Sequence, residues 1–343
     1  MDARRGGGRA IEGGADRVEN RALPSRSYRR YEGVMNSEDR YDVVIVGGGP
    51  GGLSAALALG RGRKRVLLCD SGPRRNAAAT HIHNFVTRDG TPPEEFRALG
   101  REQLAQYPNV VVRSARVAGI TGTRGSFDVA LEGGSVQARR VLLCTGMIDE
   151  LPDIPGFREM WGHTIFQCPY CHGWEIRDLR FGYFVRAFEP HHFKLFALLL
   201  RGWTRDVVVF TNGFADVPEA ARESLRDAGI RLETQPVTGL TGQGKKLETV
   251  RLADGSAVPC DALFLHPAQQ QVELVRGLGV ALDDDGFVRV DPMTRETSRP
   301  GVYAAGDLAT RMQGAILAAA AATQAATVIN MELTSELVTS GER

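Results

Sequence analysis

The segment YDVVIVGGGPGGLSAALALGRGRKRVLLCD, from Tyr41 to Asp70, limits the fold more than any other part of the chain. An apolar run, Val43 to Val46, leads into Gly47-x-Gly49-x-x-Gly52. Small residues follow from Leu53 to Gly60, and a second apolar run, Val66 to Cys69, ends at Asp70. This order predicts strand, tight turn, helix, strand and acid, the βαβ unit that binds a dinucleotide. Gly47 permits the turn, Gly49 lets the backbone approach a pyrophosphate, and Gly52 lets the helix pack close to the strand. Pro50 and Gly51 complete the loop. The free amides at the helix start then face the phosphates, and Asp70 can accept hydrogen bonds from a ribose.

A chain of 343 residues has room for two domains. Its formal net charge of +1 gives no electrostatic reason to expect nucleic acid or an acidic membrane as partner. No run of about 18 apolar residues stands out, so no membrane-spanning helix is expected. Residues 1–38 mix Arg, Gly and acids without an apolar signal core; they are expected to be a disordered extension, with Met35 as a second candidate start and a cytoplasmic location. Of five cysteines only Cys168 and Cys171 are close, which does not suit a secreted disulphide framework. Cys69, Cys144 and Cys260 read as buried thiols.

The stretch QCPYCHGWE carries Cys168, Cys171 and His172 as C-x-x-C-H, a pattern open to haem attachment, zinc or a redox dithiol. A structural zinc needs four ligands, and no second C-x-x-C or H-x-x-x-H exists. His191 and His192 are adjacent and make poor co-ligands, so no metal site is expected. Covalent haem attachment resembles a chemistry done outside the cytoplasm. The dithiol reading fits better: Pro169 suits the first turn of a helix, and a helix start lowers a cysteine pKa. His172 is placed to supply or remove a proton.

Two further segments extend the pattern. RRVLLCTGM is a strand ending at Thr145-Gly146, and SRPGVYAAGDLATRMQGAILAAAA gives a short strand, Gly306-Asp307 and an Ala-rich helix beginning near Gln313. With the first unit and the dithiol between them, residues 40 to 334 resemble the thioredoxin-reductase-like, FAD-dependent pyridine nucleotide-disulphide oxidoreductases. The resemblance implies FAD held by Gly47, Gly49, Pro50, Gly51, Gly52, Asp70, Asn84, Thr145, Gly146, Gly306, Asp307 and Gln313. Asp307 would bond the ribityl chain, and the helix after Gln313 would point its positive end at the flavin pyrimidine. Asn84, in HIHNF, matches an asparagine near the flavin, although it also fits a turn. Cys144 departs from the usual small residue before Thr145. By the same resemblance Cys171 is the flavin-proximal thiol, Cys168 exchanges with substrate, and His172 replaces an acid-base Asp. The form C-x-x-C-H-G is similar to a branch containing small-molecule dithiol oxidases, without setting the direction of electron flow. A homodimer is implied, with a small-molecule dithiol or disulphide, or a thioredoxin-like protein, as partner.

A second nucleotide unit should follow the dithiol. RFGYFVRA, Arg180 to Ala187, reads as a strand, followed by FEPHHF, a helix KLFALLLRGW and a strand DVVVFT. Laid on the first unit, Phe188 falls at Gly47, Pro190 at Gly49, Phe193 at Gly52 and Thr211 at Asp70. Phe188 and Phe193 would block close backbone approach, Glu189 would repel phosphate, and Pro190 lacks an N–H donor. Only the scattered Arg222 and Arg226 follow. Ordinary NAD(P)H binding is therefore not expected. The expected fold is α/β, with two nested Rossmann-like three-layer domains in the low-molecular-weight thioredoxin reductase architecture. Residues 39–149 and 275–334 would form the FAD domain, 150–274 an NAD(P)-binding-like domain carrying the dithiol, and 335–343 a tail. The expected activity is FAD-dependent thiol–disulphide exchange, favouring dithiol oxidation with O2 as acceptor. The alternatives are an NAD(P)H-dependent thioredoxin-disulphide reductase and a flavin-bound redox sensor.

Overall fold

In the computed structural model, β1 (Arg40–Val46) continues through the glycine loop into α1 (Pro50–Arg61) and returns as β2 (Val66–Cys69). The described residues are 40–75, 77–186, 190–214, 216–339 and 341, without the side chains of residues 190–192; the expected extension over 1–38 lies outside them. Val44 and Val46 face one core and Val43 and Ile45 the other, so β1 is covered on both faces, as a parallel strand requires. The chain goes on through α2 (Pro93–Leu104), β3 (Val110–Arg113), β4 (Val117–Thr123), β5 (Ser126–Leu131) and β6 (Gly134–Leu143). β6 serves two partners from this part of the chain. Its first half pairs antiparallel with β5, and its second half runs parallel to β1.

From β6 the chain crosses β7 (Ile148–Glu150), α3 (Phe157–Met160), β8 (Ile165–Phe166) and α4 (Pro169–His172). Next come β9 (Phe181–Phe184), α5 (Pro190–Leu200), β10 (Val207–Phe210), α6 (Glu219–Asp227) and β11 (Arg231–Glu233). An antiparallel flap of β12 (Val237–Gln243), β13 (Lys246–Leu252) and β14 (Ala257–Pro259) precedes β15 (Ala262–Phe264) and β16 (Ala268–Gln270). The chain ends with α7 (Glu273–Gly277), β17 (Val302–Ala304) and α8 (Ala315–Thr339).

The first sheet has the order β3-β2-β1-β6-β5-β4, with β17 parallel to β6. The second, β11-β10-β9-β15-β8, is parallel throughout. Each sheet has a core on both faces, which is the three-layer α/β arrangement. Strands of the first sheet come from residues 40–143 and 302–304, and strands of the second from 165–264. β7 and β16 pair antiparallel as the two-stranded connection between the sheets. In the first sheet the order reverses at β1, so its carboxyl edge beside β6 is the switch point where such sheets take ligands.

One expectation is corrected at the C-terminus. α8 runs to Thr339, so residues 335–339 are helix and not tail. By length and composition α8 could cross a membrane, although Thr, Gln and Asn interrupt its apolar residues. Its Ala319, Ala322, Ala325, Ala326, Ile329 and Leu333 are buried in the core shared with α1. The fully buried Arg140 of β6 binds Glu332 at 3.2 Å and also pairs with Glu336, anchoring α8 on the sheet.

Candidate active site

Gly47 follows β1 with φ +112°, and its amide donates to the Cys69 carbonyl at 2.8 Å. A Cβ on Gly47 would stand 2.2 Å from the Cys144 carbonyl oxygen, and one on Gly52 would stand 1.8 Å from the Gly47 carbonyl oxygen. Gly49 differs: its φ is −79°, and an added Cβ would meet nothing within 4 Å. Packing therefore demands glycine at 47 and 52, while Gly49 leaves an open approach to the first amides of α1. Pro50 takes the first helical position, where no N–H is needed. Gly51 allows α8 to approach, since a Cβ there would lie 3.2 Å from the Ala318 carbonyl oxygen.

Asp70 is buried beside this loop and already has partners. It accepts from the Gly72 amide at 3.1 Å and from Arg97 and Arg101 of α2 at 2.5 and 2.6 Å. Burial opposes its charge, but the Gly72 amide and the two guanidinium groups outweigh it and hold the carboxyl below its ordinary range. The two arginines, four residues apart on one helix face, were not singled out in the sequence.

Thr145 and Gly146 follow β6, Gly146 with φ +68°. Gly306, with φ +92°, precedes a short 3-10 turn, Asp307–Ala309. Gln313 lies two residues before α8. Asp307 and Gln313 meet at a residue the sequence did not flag. Arg75 donates to Asp307 at 2.9 Å, to Gln313 at 2.6 Å and to Gln167 at 2.7 Å. It also makes a two-pronged pair with Asp149 of β7, at 2.8 and 2.7 Å. Burial works against the Arg75 charge, yet Asp149 and Asp307 overcome it and raise its pKa. Burial raises the Asp307 carboxyl above the usual range, with Arg75 opposing and Asp149 adding to the rise. Asn84 is exposed, sits at φ +60°, and donates its amide to Asp89 at 2.7 Å. Its side chain makes none of the bonds of the Arg75 cluster.

Next to Gln167, Cys168 and Cys171 form a disulphide across the single turn of α4, with Cα atoms 5.3 Å apart. Cys168 is the N-cap and Pro169 the first helical residue. Gly173 closes the turn where a Cβ would stand 2.9 Å from the Trp203 indole. The His172 ring stacks on Phe166 at 4.2 Å, and its buried Nδ1 has no hydrogen-bond partner. Burial, and then the charge of His83, lower the His172 pKa to about 4, so it is neutral at pH 7. His83 lies 3.5 Å from Asp89 and 3.8 Å from Glu175.

The pyridine nucleotide-disulphide oxidoreductase model matches residues 41–186 and 205–326 of this chain. The chain belongs to that family. Thioredoxin reductase sirT of Leptosphaeria maculans is 31% identical over 307 residues, covering 85% of this chain and 94% of that protein. Thioredoxin reductase tcpT of Claviceps purpurea is 32% identical over 287 residues, covering 80% and 88%. An oxidoreductase structure from Agrobacterium tumefaciens superposes with TM-score 0.79 at 35% identity, over 86% of this chain and 99% of that one. The chain is thus a thioredoxin-reductase-like flavoprotein oxidoreductase acting on a thiol–disulphide couple. The open Gly49 and the amides behind it fit the pyrophosphate of FAD.

In the second sheet of this oxidoreductase the far end of the expected register agrees. The Thr211 amide donates to Glu233 as the Asp70 amide does to Arg113, at 2.8 and 3.0 Å. The near end is corrected. The Val185 amide donates to Phe210 at 2.9 Å, as Gly47 does to Cys69, so Val185 and not Phe188 matches Gly47. Pro190 opens α5 as Pro50 opens α1, not at the place of Gly49. The loop thus runs from Val185 to residue 189, longer than Gly47–Gly49, and contains no glycine. Phe188 and Glu189 lie outside the described residues, as do the side chains of Pro190, His191 and His192. Phe193 is also corrected: it is buried in the core beside Tyr183 rather than standing over the loop. Thr211 is buried and donates its hydroxyl to the Phe214 carbonyl at 3.1 Å, so this position carries no acid for a ribose. Among the described residues no group of three or more His, Cys, Asp or Glu is arranged for a metal.

Proposed function

We propose that this oxidoreductase passes electrons between the Cys168–Cys171 couple and FAD, and that it works in the direction of dithiol oxidation with O2 as acceptor. The observation that carries the reading is the disulphide beginning one residue after Gln167, whose side chain is bonded to both Arg75 and Gln313. FAD, when bound, would take two electrons from a dithiol and yield them to O2 as peroxide. The glycine loop and the start of α1 would hold its pyrophosphate, and Asp307 and Gln313 would bond its ribityl and pyrimidine ends. Substrate is a small-molecule dithiol. One substrate thiolate attacks Cys168 Sγ, the Cys168–Cys171 bond breaks, and Cys171 leaves as a thiolate. The second substrate thiolate then attacks the substrate sulphur of the mixed disulphide, which closes the substrate disulphide and frees Cys168. His172, held neutral with a pKa of about 4, is a weak proton acceptor at pH 7, so the two protons released pass to solvent. Two electrons then reside on Cys168 and Cys171, and reoxidation of this pair completes the cycle.

The direction rests on the glycine-free loop after β9 and on Thr211. A second reading, an NAD(P)H-dependent thioredoxin-disulphide reductase, has its own support. A cleft of about 330 Å³ lies at the carboxyl ends of β9 and β10, lined in part by Phe184, Arg186 and Asn212. Anaerobic mixing of the FAD-loaded protein with NADPH, NADH or a dithiol separates the readings. Flavin bleaching by dithiol alone, with peroxide on admitting air, is expected. Rapid bleaching by NADPH would favour the reductase, and no bleaching by any donor would favour a redox sensor.

A further inference from the structure

Six side chains from five distant segments close into one hydrogen-bonded cluster around Arg75. Beyond the bonds already described, Gln269 of β16 donates to Asp149 at 3.0 Å and to Gln313 at 3.1 Å. Gln313 donates back to Gln269 at 2.8 Å, and Gln167 donates to Gln313 at 3.0 Å. Arg75 and Asp307 come from loops of the first sheet, and Gln313 precedes α8. Asp149 and Gln269 come from the two strands that connect the sheets, and Gln167 comes from the segment that carries the disulphide. Arg75 binds four of its five partners directly and is the cation between two carboxylates. A half-buried arginine in this position holds planar acceptors in fixed directions, which a lysine cannot do. Without it, Asp149 and Asp307 would face each other in a half-buried site with no opposing charge.

We propose that Arg75 is a positioning residue, a clasp that holds the disulphide segment in register with Asp307 and Gln313 by bridging them to Gln167. The dithiol is one residue from Gln167, so the clasp sets where Cys168 and Cys171 stand relative to the flavin-binding motifs. The clasp rests on the reading of Cys168–Cys171 and FAD as electron partners only for its kinetic consequence. Its structural part stands apart from that reading.

Three variants of the full chain test it: Arg75→Ala, Arg75→Lys and Gln167→Ala, with the double variant Arg75→Ala/Gln167→Ala. Hydrogen exchange of residues 165–173 is measured first and needs no turnover. Arg75→Ala should speed exchange there about tenfold, and Arg75→Lys should restore little of the protection. Dithiol-driven flavin reduction, compared at matched flavin occupancy, should slow about tenfold or more in Arg75→Ala. The double variant should be slower than Arg75→Ala by less than the loss Gln167→Ala causes alone, because without Arg75 only the direct Gln167–Gln313 bond remains to be removed. Unchanged exchange in Arg75→Ala, or rate losses that add in the double variant, would overturn the clasp. If dithiols reduce no flavin even in the unsubstituted protein, the functional reading fails, and the exchange measurement still decides the clasp.

Discussion

Gly49 and Gly52 are three residues apart, and alanine should act on them in opposite ways. A Cβ on Gly52 would lie 1.8 Å from the Gly47 carbonyl oxygen and 3.2 Å from Leu68 Cδ1, so the start of α1 would have to move off β1. Overpacking of backbone against backbone belongs at the upper end of such costs, about 3 kcal/mol, which for about 300 cooperative residues lowers Tm by about 5 °C. Gly49 has φ −79° and open space around it, so alanine there fits the backbone. The entropy gained by removing a glycine, about 0.5 kcal/mol, offsets the poorer N-cap. Stability of the FAD-free protein should thus stay within about 1 kcal/mol of the parent. The new methyl would stand in the approach to the α1 amides, and FAD affinity should fall about tenfold or more, a loss of at least about 1.4 kcal/mol. The assay is a thermal melt of the FAD-free protein, paired with titration of FAD fluorescence quenching. If Gly49→Ala melts as low as Gly52→Ala, or binds FAD as tightly as the parent, the distinction between packing glycine and ligand-facing glycine fails.

Three other outcomes are expected. Because the Asp70 pKa is depressed in the folded state, its contribution is complete above the unfolded carboxyl pKa of about 4 and is lost as pH falls below it. The urea midpoint of the parent should drop more steeply below pH 4 than that of Asp70→Asn, and equal slopes would contradict the pairing. His172 is held near 4 by burial, and then by His83, so dithiol-driven reduction should show no His172 inflection between pH 5 and 8. Stability tied to His172 is complete above about pH 6.5 and declines toward pH 4, so unfolding of the parent and of His172→Asn should diverge in that window. Cys171→Ser should abolish flavin reduction by dithiols, and full activity in that variant would rule out the disulphide as the electron carrier.

The parts of this molecule that were legible in the sequence are those whose information is local. The unit from Tyr41 to Asp70 could be read because the apolar runs, the glycines and the acid keep fixed distances within one βαβ. The single turn at Pro169 was legible for the same reason. The second loop was misregistered because spacing from Thr211 assumes equal loop lengths, and the loop after β9 is longer than the one after β1. Phe193 looked like an obstacle to phosphate because sequence does not tell which way a residue on the first turn of α5 faces. The Arg75 cluster carried a signal only at Asp307 and Gln313, and none at Arg75, Asp149, Gln167 and Gln269. Its members are ordinary polar residues spread from position 75 to 313, and only the closing of both sheets brings them within 3 Å. Asp70 gave a partial signal: the acid was found, but the arginines that share it lie on a helix some thirty residues away.

A protein that trades disulphides must keep its own other thiols out of the exchange. Burial pushes Cys69 up to about 11 and Cys144 and Cys260 up to about 12. Cys144 is only partly covered as a residue, yet its thiol packs into the core under α1. At pH 7 their thiolate fractions are about one in ten thousand to one in a hundred thousand, against a few per cent for a free cysteine. A mixed disulphide formed at Cys168 therefore has one nearby nucleophile in the chain, Cys171, and the electron pair is confined to a two-sulphur circuit.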